Sequence, residues 1–256
     1  MPFDIVAWLE TQTATALSGV TAVADQQYSV SGDSIKVKKD KAFLAGVLQL
    51  GVSTPKICEL RQPSLNIPYR FTKSVIATVA DHRAGFTNLL KRPLPLYPNE
   101  KLSAYVQNAT AEYSVIVAWL ASGYIDPQPI NPTHIVTADI DSTLTVNVWN
   151  QVVPTYDQDL PKGTYEVLGM KVGSFVATCN PLVTRLVCPD SPHRVGVITS
   201  EITADKTLFV NAKDDLETVW NPMRGVAFPH DQMPTLEMLS LTADTDHMLE
   251  LTLRKK

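Results

Sequence analysis

The sequence predicts an all-β chain of two tandem β-domains behind a short N-terminal helix. Three observations predict it. Short β-branched runs are cut by Pro, Gly, Asn and Asp along most of the 256 residues, and 18 Pro stand against 11 Gly, mostly between runs rather than inside them. Several runs alternate apolar and polar residues, as half-buried strands do. The two halves also share an ordered set of signals. The first half carries Leu44-Ala45-Gly46-Val47, Leu60-Arg61-Gln62-Pro63, Arg92-Pro93-Leu94-Pro95-Leu96-Tyr97-Pro98 and an expected hairpin from Leu102 to Leu120. The second carries Val167-Leu168-Gly169-Met170, Leu186-Val187-Cys188-Pro189, Arg224-Gly225-Val226-Ala227-Phe228-Pro229 and an expected hairpin from Leu236 to Leu253. Gly46 to Pro63 is 17 positions and Gly169 to Pro189 is 20, and the hairpins span 18 and 17. A unit this long exceeds a solenoid repeat and suits a small β-domain.

Taken in order, residues 2–18 read as a helix. Pro2 suits a first turn. Ile5, Leu9 and Ala16 fall near one face with Val6, Thr13 and Leu17 beside it, and Gly19 is a stop. Ser114 to Leu120 is apolar on both faces and reads as a central strand. Residues 74–90 hold either a short helix around Ala80 to Leu90 or a strand and a loop. Three prolines, Pro127, Pro129 and Pro132, stiffen a connector. Leu144, Val146 and Val148 alternate with Thr143, Thr145 and Asn147 as a strand. Leu249, Leu251 and Leu253 alternate with Glu250, Thr252 and Arg254 as a strand with one wet face. The expected divisions are a helical arm at 1–19, a first domain at 20–122, the linker at 123–133 and a second domain at 134–256. Each domain has the size of an eight-stranded jelly roll, which hides most strand edges by folding two sheets together.

Composition narrows the function. Apolar residues make up 45% of the chain, enough for real cores. No apolar run reaches the ~18 residues of a membrane helix. Asp4 and Glu10 interrupt any signal-peptide pattern. A net charge of −4 weighs against nucleic-acid binding, and the one basic cluster, Lys36, Lys38, Lys39 and Lys41, reads as a solvated face. Cys58, Cys179 and Cys188 are odd in number, lack zinc spacing and read as buried thiols of a reducing compartment.

Several motifs bear on chemistry. Asp139-Ile140-Asp141-Ser142-Thr143-Leu144 resembles the nucleophile motif of haloacid-dehalogenase-type phosphatases. That resemblance would make Asp139 the nucleophile and Asp141 the acid–base, with Thr199 or Ser200, Lys206 or Lys213, and Asp214-Asp215 following. The family places a helix after the motif, whereas Leu144 to Val148 alternates as a strand, so Asp139 reads instead as a turn residue. His82, His134, His193, His230 and His247 include no pair two or four apart. The His-x-His pair of a bicupin is therefore missing, and each histidine reads as a loop or surface residue. Asp244-Thr245-Asp246 and Asp214-Asp215 read as solvated turns. No Gly-x-Ser-x-Gly elbow occurs. Asn108-Ala109-Thr110 fits a glycosylation acceptor but stands without a secretion signal. Tyr97, Tyr105 and Tyr113 would serve a carbohydrate-binding β-sandwich if they shared an exposed face. No catalytic residue, cofactor or metal is expected.

A helical arm, two jelly-roll-sized domains, a Pro-rich connector and no catalytic constellation together resemble the double jelly-roll major capsid proteins of icosahedral viruses. This is the lineage of adenovirus hexon and of tailless phages with an internal membrane. The resemblance rests on the paired segments and hairpins above. It implies a structural virion protein made in the host cytoplasm, whose homotrimers present six similar edges and tile an icosahedral shell. Its implied partners are itself, other capsid proteins such as a vertex protein, and an internal viral membrane where one is present, with no specific nucleic acid. The family's arm lies beneath the shell, so Phe3, Ile5, Val6, Trp8 and Leu9 are expected to form an assembly contact outside both cores. A phosphatase, a bicupin-like enzyme and a carbohydrate-binding module are the competing readings.

Overall fold

A computed structural model describes residues 3–12, 16–51, 55–71, 75–76, 86–90, 92–108, 112–123, 132–175, 183–198, 201–202, 226–240, 243 and 245–256. These residues form strands, turns and loops, with no helix among them. The chain divides into a first unit, Ile5–Tyr124, and a second, Met1–Asp4 with Ile125–Lys256. Most of the Pro-rich connector and the segment 77–85 lie outside the described residues.

The first unit contains β1 (Phe3–Gln12, whose first two residues group with the second unit), β2 (Ser18–Gly19), β3 (Val30–Ser31), β4 (Ser34–Lys36), β5 (Phe43–Gly51) and β6 (Pro55–Arg61). It continues with β7 (Tyr69–Phe71), β8 (Val75–Ile76), β9 (Phe86–Asn88), β10 (Leu94–Pro95), β11 (Lys101–Asn108) and β12 (Glu112–Ala121). One sheet runs β1-β12-β5-β10, with β8 and β9 also on β5, and the other runs β3-β4-β11-β6-β7, with β2 on β11. The core lies between them. Val6, Trp8, Leu44, Val47, Ile116, Ala118 and Leu120 from one sheet meet Ile35, Cys58, Leu60, Leu102, Ala104 and Val106 from the other. The unit is a β-sandwich.

The second unit contains β13 (His134–Ile140), β14 (Trp149–Val152), β15 (Thr155–Tyr156), β16 (Thr164–Ser174) and β17 (Val183–Val187). Then come β18 (Gly196–Ile198), β19 (Glu201–Ile202), β20 (Ala227–Pro229), β21 (Thr235–Leu239) and β22 (His247–Lys255). Its sheets run β15-β13-β22-β16-β19, with β20 on β16, and β14-β21-β17-β18. The order repeats that of the first unit. β1-β12-β5-β10 answers to β13-β22-β16-β20, and β4-β11-β6-β7 answers to β14-β21-β17-β18.

The repeat holds at residue level. On β5 one extra residue, Ala45, separates Leu44, opposite Leu120, from Gly46, opposite Trp119. On β16 the extra residue is Leu168, between Val167, opposite Leu253, and Gly169, opposite Thr252. Both are bulges directly before a strand glycine. β6 and β17 each end two residues before proline, at Pro63 and Pro189. Leu60 pairs with Ala104 as Leu186 pairs with Leu236. Pro95 and Pro229 end short strands laid along β5 and β16.

Several expectations are corrected. Residues 3–12 are a strand, not a helix. Phe3, Ile5, Val6, Trp8 and Leu9 are buried in it, and Val6 and Trp8 belong to the first core rather than standing outside it. β-branched and aromatic residues favour a pleated setting, and backbone bonds from Leu9 to Thr21 O (2.8 Å) and from Val23 to Ala7 O (2.9 Å) hold the strand. The expected hairpins are not hairpins. β11 and β12 lie in different sheets, as do β21 and β22, so that Leu102, Ala104 and Val106 face Ile116, Ala118 and Leu120 across the core. Residues 141–148 form a loop, not a strand. Asn150 staples it, accepting the Thr145 N–H at 2.8 Å and donating to Thr145 O at 2.8 Å, and Asn147 takes φ 67°. Asp139 is accordingly a strand residue, opposite Met248 and Thr155, rather than part of a turn. β22 is a strand whose expected wet face is partly exposed at Glu250 and Arg254 and buried at Thr252.

Candidate functional site

The residues singled out for chemistry scatter over separate elements. Asp139 lies on β13 in an antiparallel ladder, and Asp141 follows the strand exposed. Thr199, Ser200, Lys206, Lys213, Asp214, Asp215, Cys179, His82 and Asp244 lie outside the described residues. His134 opens β13 and packs edge-on against Tyr165, with ring centres 5.1 Å apart. His193 follows β17, and its Nδ1 lies 3.7 Å from Asp4 Oδ1. His230 follows β20, 3.9 Å from Asp231. His247 opens β22 and is fully buried, so it is a sheet residue and not a surface one. Among the described residues no three His, Cys, Asp or Glu side chains gather as a metal site would require. Tyr97 is exposed, but Tyr105 lies under the Arg61 guanidinium at 4.0 Å, so these two rings form no bare aromatic platform. Asn108 is buried, 1% exposed, and bonded to Ser114, a setting closed to a glycan.

Two ionic knots stand at equivalent ladder positions, one per unit. In the first, Glu59 on β6 is opposite Tyr105 and Arg70. Its side chain is buried, with Oε1 taking Arg61 Nε at 2.6 Å and Oε2 taking Arg70 Nη2 at 2.7 Å. In the second, Arg185 on β17 is opposite Glu237 on β21, and both are buried. Arg185 Nε donates to Glu237 Oε2 at 2.6 Å, its guanidinium lies 3.9 Å from the Trp149 ring centre, and Arg194 Nε comes within 3.5 Å of the same carboxylate oxygen. The Arg194 backbone N–H donates to Asp4 Oδ1 at 2.9 Å. Sequence reasoning missed both knots. Their signal was present, as a lone Arg185 inside Val183-Thr184-Arg185-Leu186-Val187 and as Glu59 and Arg61 alternating with Cys58 and Leu60.

The electrostatics follow from burial and pairing. Burial alone would raise the Glu59 carboxyl, but bonds from Arg70 and Arg61 outweigh it and hold it below the usual carboxylate range. Burial, aided by the Glu59 charge, pushes the Cys58 thiol far up. Burial pushes Cys188 up to about 12, against the pull of Arg194. Both thiols are therefore protonated and inert at neutral pH. A depressed Glu59 means that the unfolded chain binds the extra proton. Its contribution is present above the ordinary carboxylate value of about 4.3 and is lost as pH falls through the lower folded value. Solvent screening at the half-exposed arginines keeps that contribution modest. Glu59→Gln is expected to flatten the acid limb of stability below pH about 4.3, read from urea midpoints against pH. An unchanged acid limb would contradict the assignment.

These knots lock strands to one another and leave no carboxylate oxygen of Glu59 idle. The arrangement fits rigid sheets better than acid–base work. No family model matches the chain, and no curated protein matches it.

Proposed function

We propose that each unit is an eight-stranded jelly roll and that the chain is a structural virion protein, a major capsid subunit of the double jelly-roll kind. One observation carries this reading: the same strand order occurs twice, with the same bulge before the same glycine. Number each unit's eight main strands in sequence. One sheet then runs first–eighth–third–sixth and the other second–seventh–fourth–fifth. That winding is what two Greek keys in a jelly roll require. Consecutive seventh and eighth strands in opposite sheets are part of the same winding.

Two similar sandwiches per chain let three chains present six similar edges. A ring of that kind tiles a shell from one gene product. Exposed apolar side chains also flank the sheet-edge strand β14, namely Val146, Val148 and Val153. An obligate trimer would cover such side chains. The partners of this reading are further copies of the chain, a vertex protein, and an internal viral membrane where the virus has one. The burial of Phe3, Ile5, Val6, Trp8 and Leu9 leaves the arm no part in it.

Purified protein is expected to sediment at three times its monomer mass and to give pseudo-hexagonal particles in negative-stain images. A protein that stays monomeric at high concentration, with no hexagonal outline, would overturn the reading.

A further inference from the structure

One end of the first unit's core is polar. Gln49 follows Val47 on the inward face of β5 and stands opposite Ile116, itself a core residue. Ser114 lies two residues before Ile116 on the same face of β12, opposite Gly51. Asn108 continues the inward series Leu102, Ala104 and Val106 on β11. The three side chains are 1%, 0% and 1% exposed. Asn108 Nδ2 donates to Ser114 Oγ at 2.8 Å, a bond that spans the gap between the two sheets. Gln49 is the diagonal neighbour of Ser114 across the ladder, within reach of a long side chain.

Their hydrogen-bonding capacity is not used up. Gln49 Nε2, Gln49 Oε1 and Asn108 Oδ1 have no hydrogen-bond partner among the described residues. Buried amides left in that state are costly, and native cores satisfy nearly all of them. We propose that this end of the core holds buried ordered water, bound by Gln49, Asn108 and Ser114 as a permanent part of the sandwich.

The chemistry selects water over an ion. A cation would face the Gln49 amide hydrogens, and an anion would face two carbonyl oxygens. Water supplies donors for Gln49 Oε1 and Asn108 Oδ1 and accepts from Gln49 Nε2 and the Ser114 hydroxyl, whose own hydrogen is not used in holding Asn108. The second unit keeps polar residues at the places of Ser114 and Asn108, while buried Val172 stands where Gln49 does. Ser174 opposite His247 answers to Gly51 opposite Ser114, and Ser240 after β21 answers to Asn108 after Gln107. All three are buried. Polarity at this end therefore survives in part, and the second unit has no counterpart of the Gln49 amide.

The test uses the full chain. A crystal structure fine enough to show water is expected to place one within about 3 Å of Gln49 and of Asn108 Oδ1. In solution, the Gln49 and Asn108 side-chain amides are expected to show cross-peaks to long-lived water, which Gln49→Leu removes. If that variant fails to fold, the wild-type signals and Ser114→Ala still decide the matter. An ordered but dry site, amide protons without water cross-peaks, or a protein group seated on Gln49 and Asn108 would each overturn the proposal.

Discussion

Trp8→Ala is expected to destabilise the first unit by ~3–5 kcal/mol, the usual cost of removing a large aromatic side chain from a core. Trp8 is fully buried, and its Nε1–H donates to Asp33 O at 2.9 Å. It also bridges to Ala22 and packs in the cluster that holds Val6, Leu44 and Leu120. The substitution leaves a cavity and an unpaired carbonyl together. Deleting residues 1–12 is expected to go further and prevent the first unit from folding, because it removes the strand beside β12. Chemical denaturation of Trp8→Ala and the solubility of the truncated chain measure the two effects. A loss below ~1 kcal/mol, within the range of surface substitutions and small trims, would return the segment to a dispensable arm.

The misreading of this segment has a physical cause. Residues 3–9 are all buried, so apolar residues occupy both faces of the strand. A short run that is apolar all round satisfies a helical wheel and a strand equally well, and periodicity cannot separate them. The signals that survived were local ones. Gly46 and Gly169 mark bulges, Pro63 and Pro189 mark strand ends, and each acts through the backbone within a few residues. The sheet to which a strand belongs is not local. Closeness in sequence suggested that β11 pairs with β12, whereas their apolar faces meet across the core. Val146 and Val148 alternated as a strand, yet the Asn150 side chain captured the loop backbone first. The inward placement of Gln49 depends on the bulge at Ala45, which shifts every later residue on β5 to the other face. Asp139, His247 and Arg185 show the same limit, since their surroundings come from strands far away in sequence.

Glu237→Ala is expected to destabilise the second unit by ~3–5 kcal/mol, because it leaves a buried charge without its partner. The side chains of Arg185 and Glu237 are 1% and 3% exposed, so water cannot take over the lost bond without opening the sheet. Arg194 makes matters worse, since its Nε lies 3.5 Å from the same carboxylate and loses that neighbour in the same substitution. Trp149 stays under the Arg185 guanidinium, but a ring face replaces only part of a carboxylate. Arg185→Met combined with Glu237→Leu is expected to recover most of the loss, since apolar residues of similar volume need no partner. Denaturation midpoints of the two single variants and the double complete the cycle. A double variant as unstable as Glu237→Ala alone would mean that the pair adds net stability. A recovered double variant whose strands lose their sharp NMR dispersion would mean that the pair specifies the register of β17 on β21, a role the lone arginine in an apolar strand already suggests.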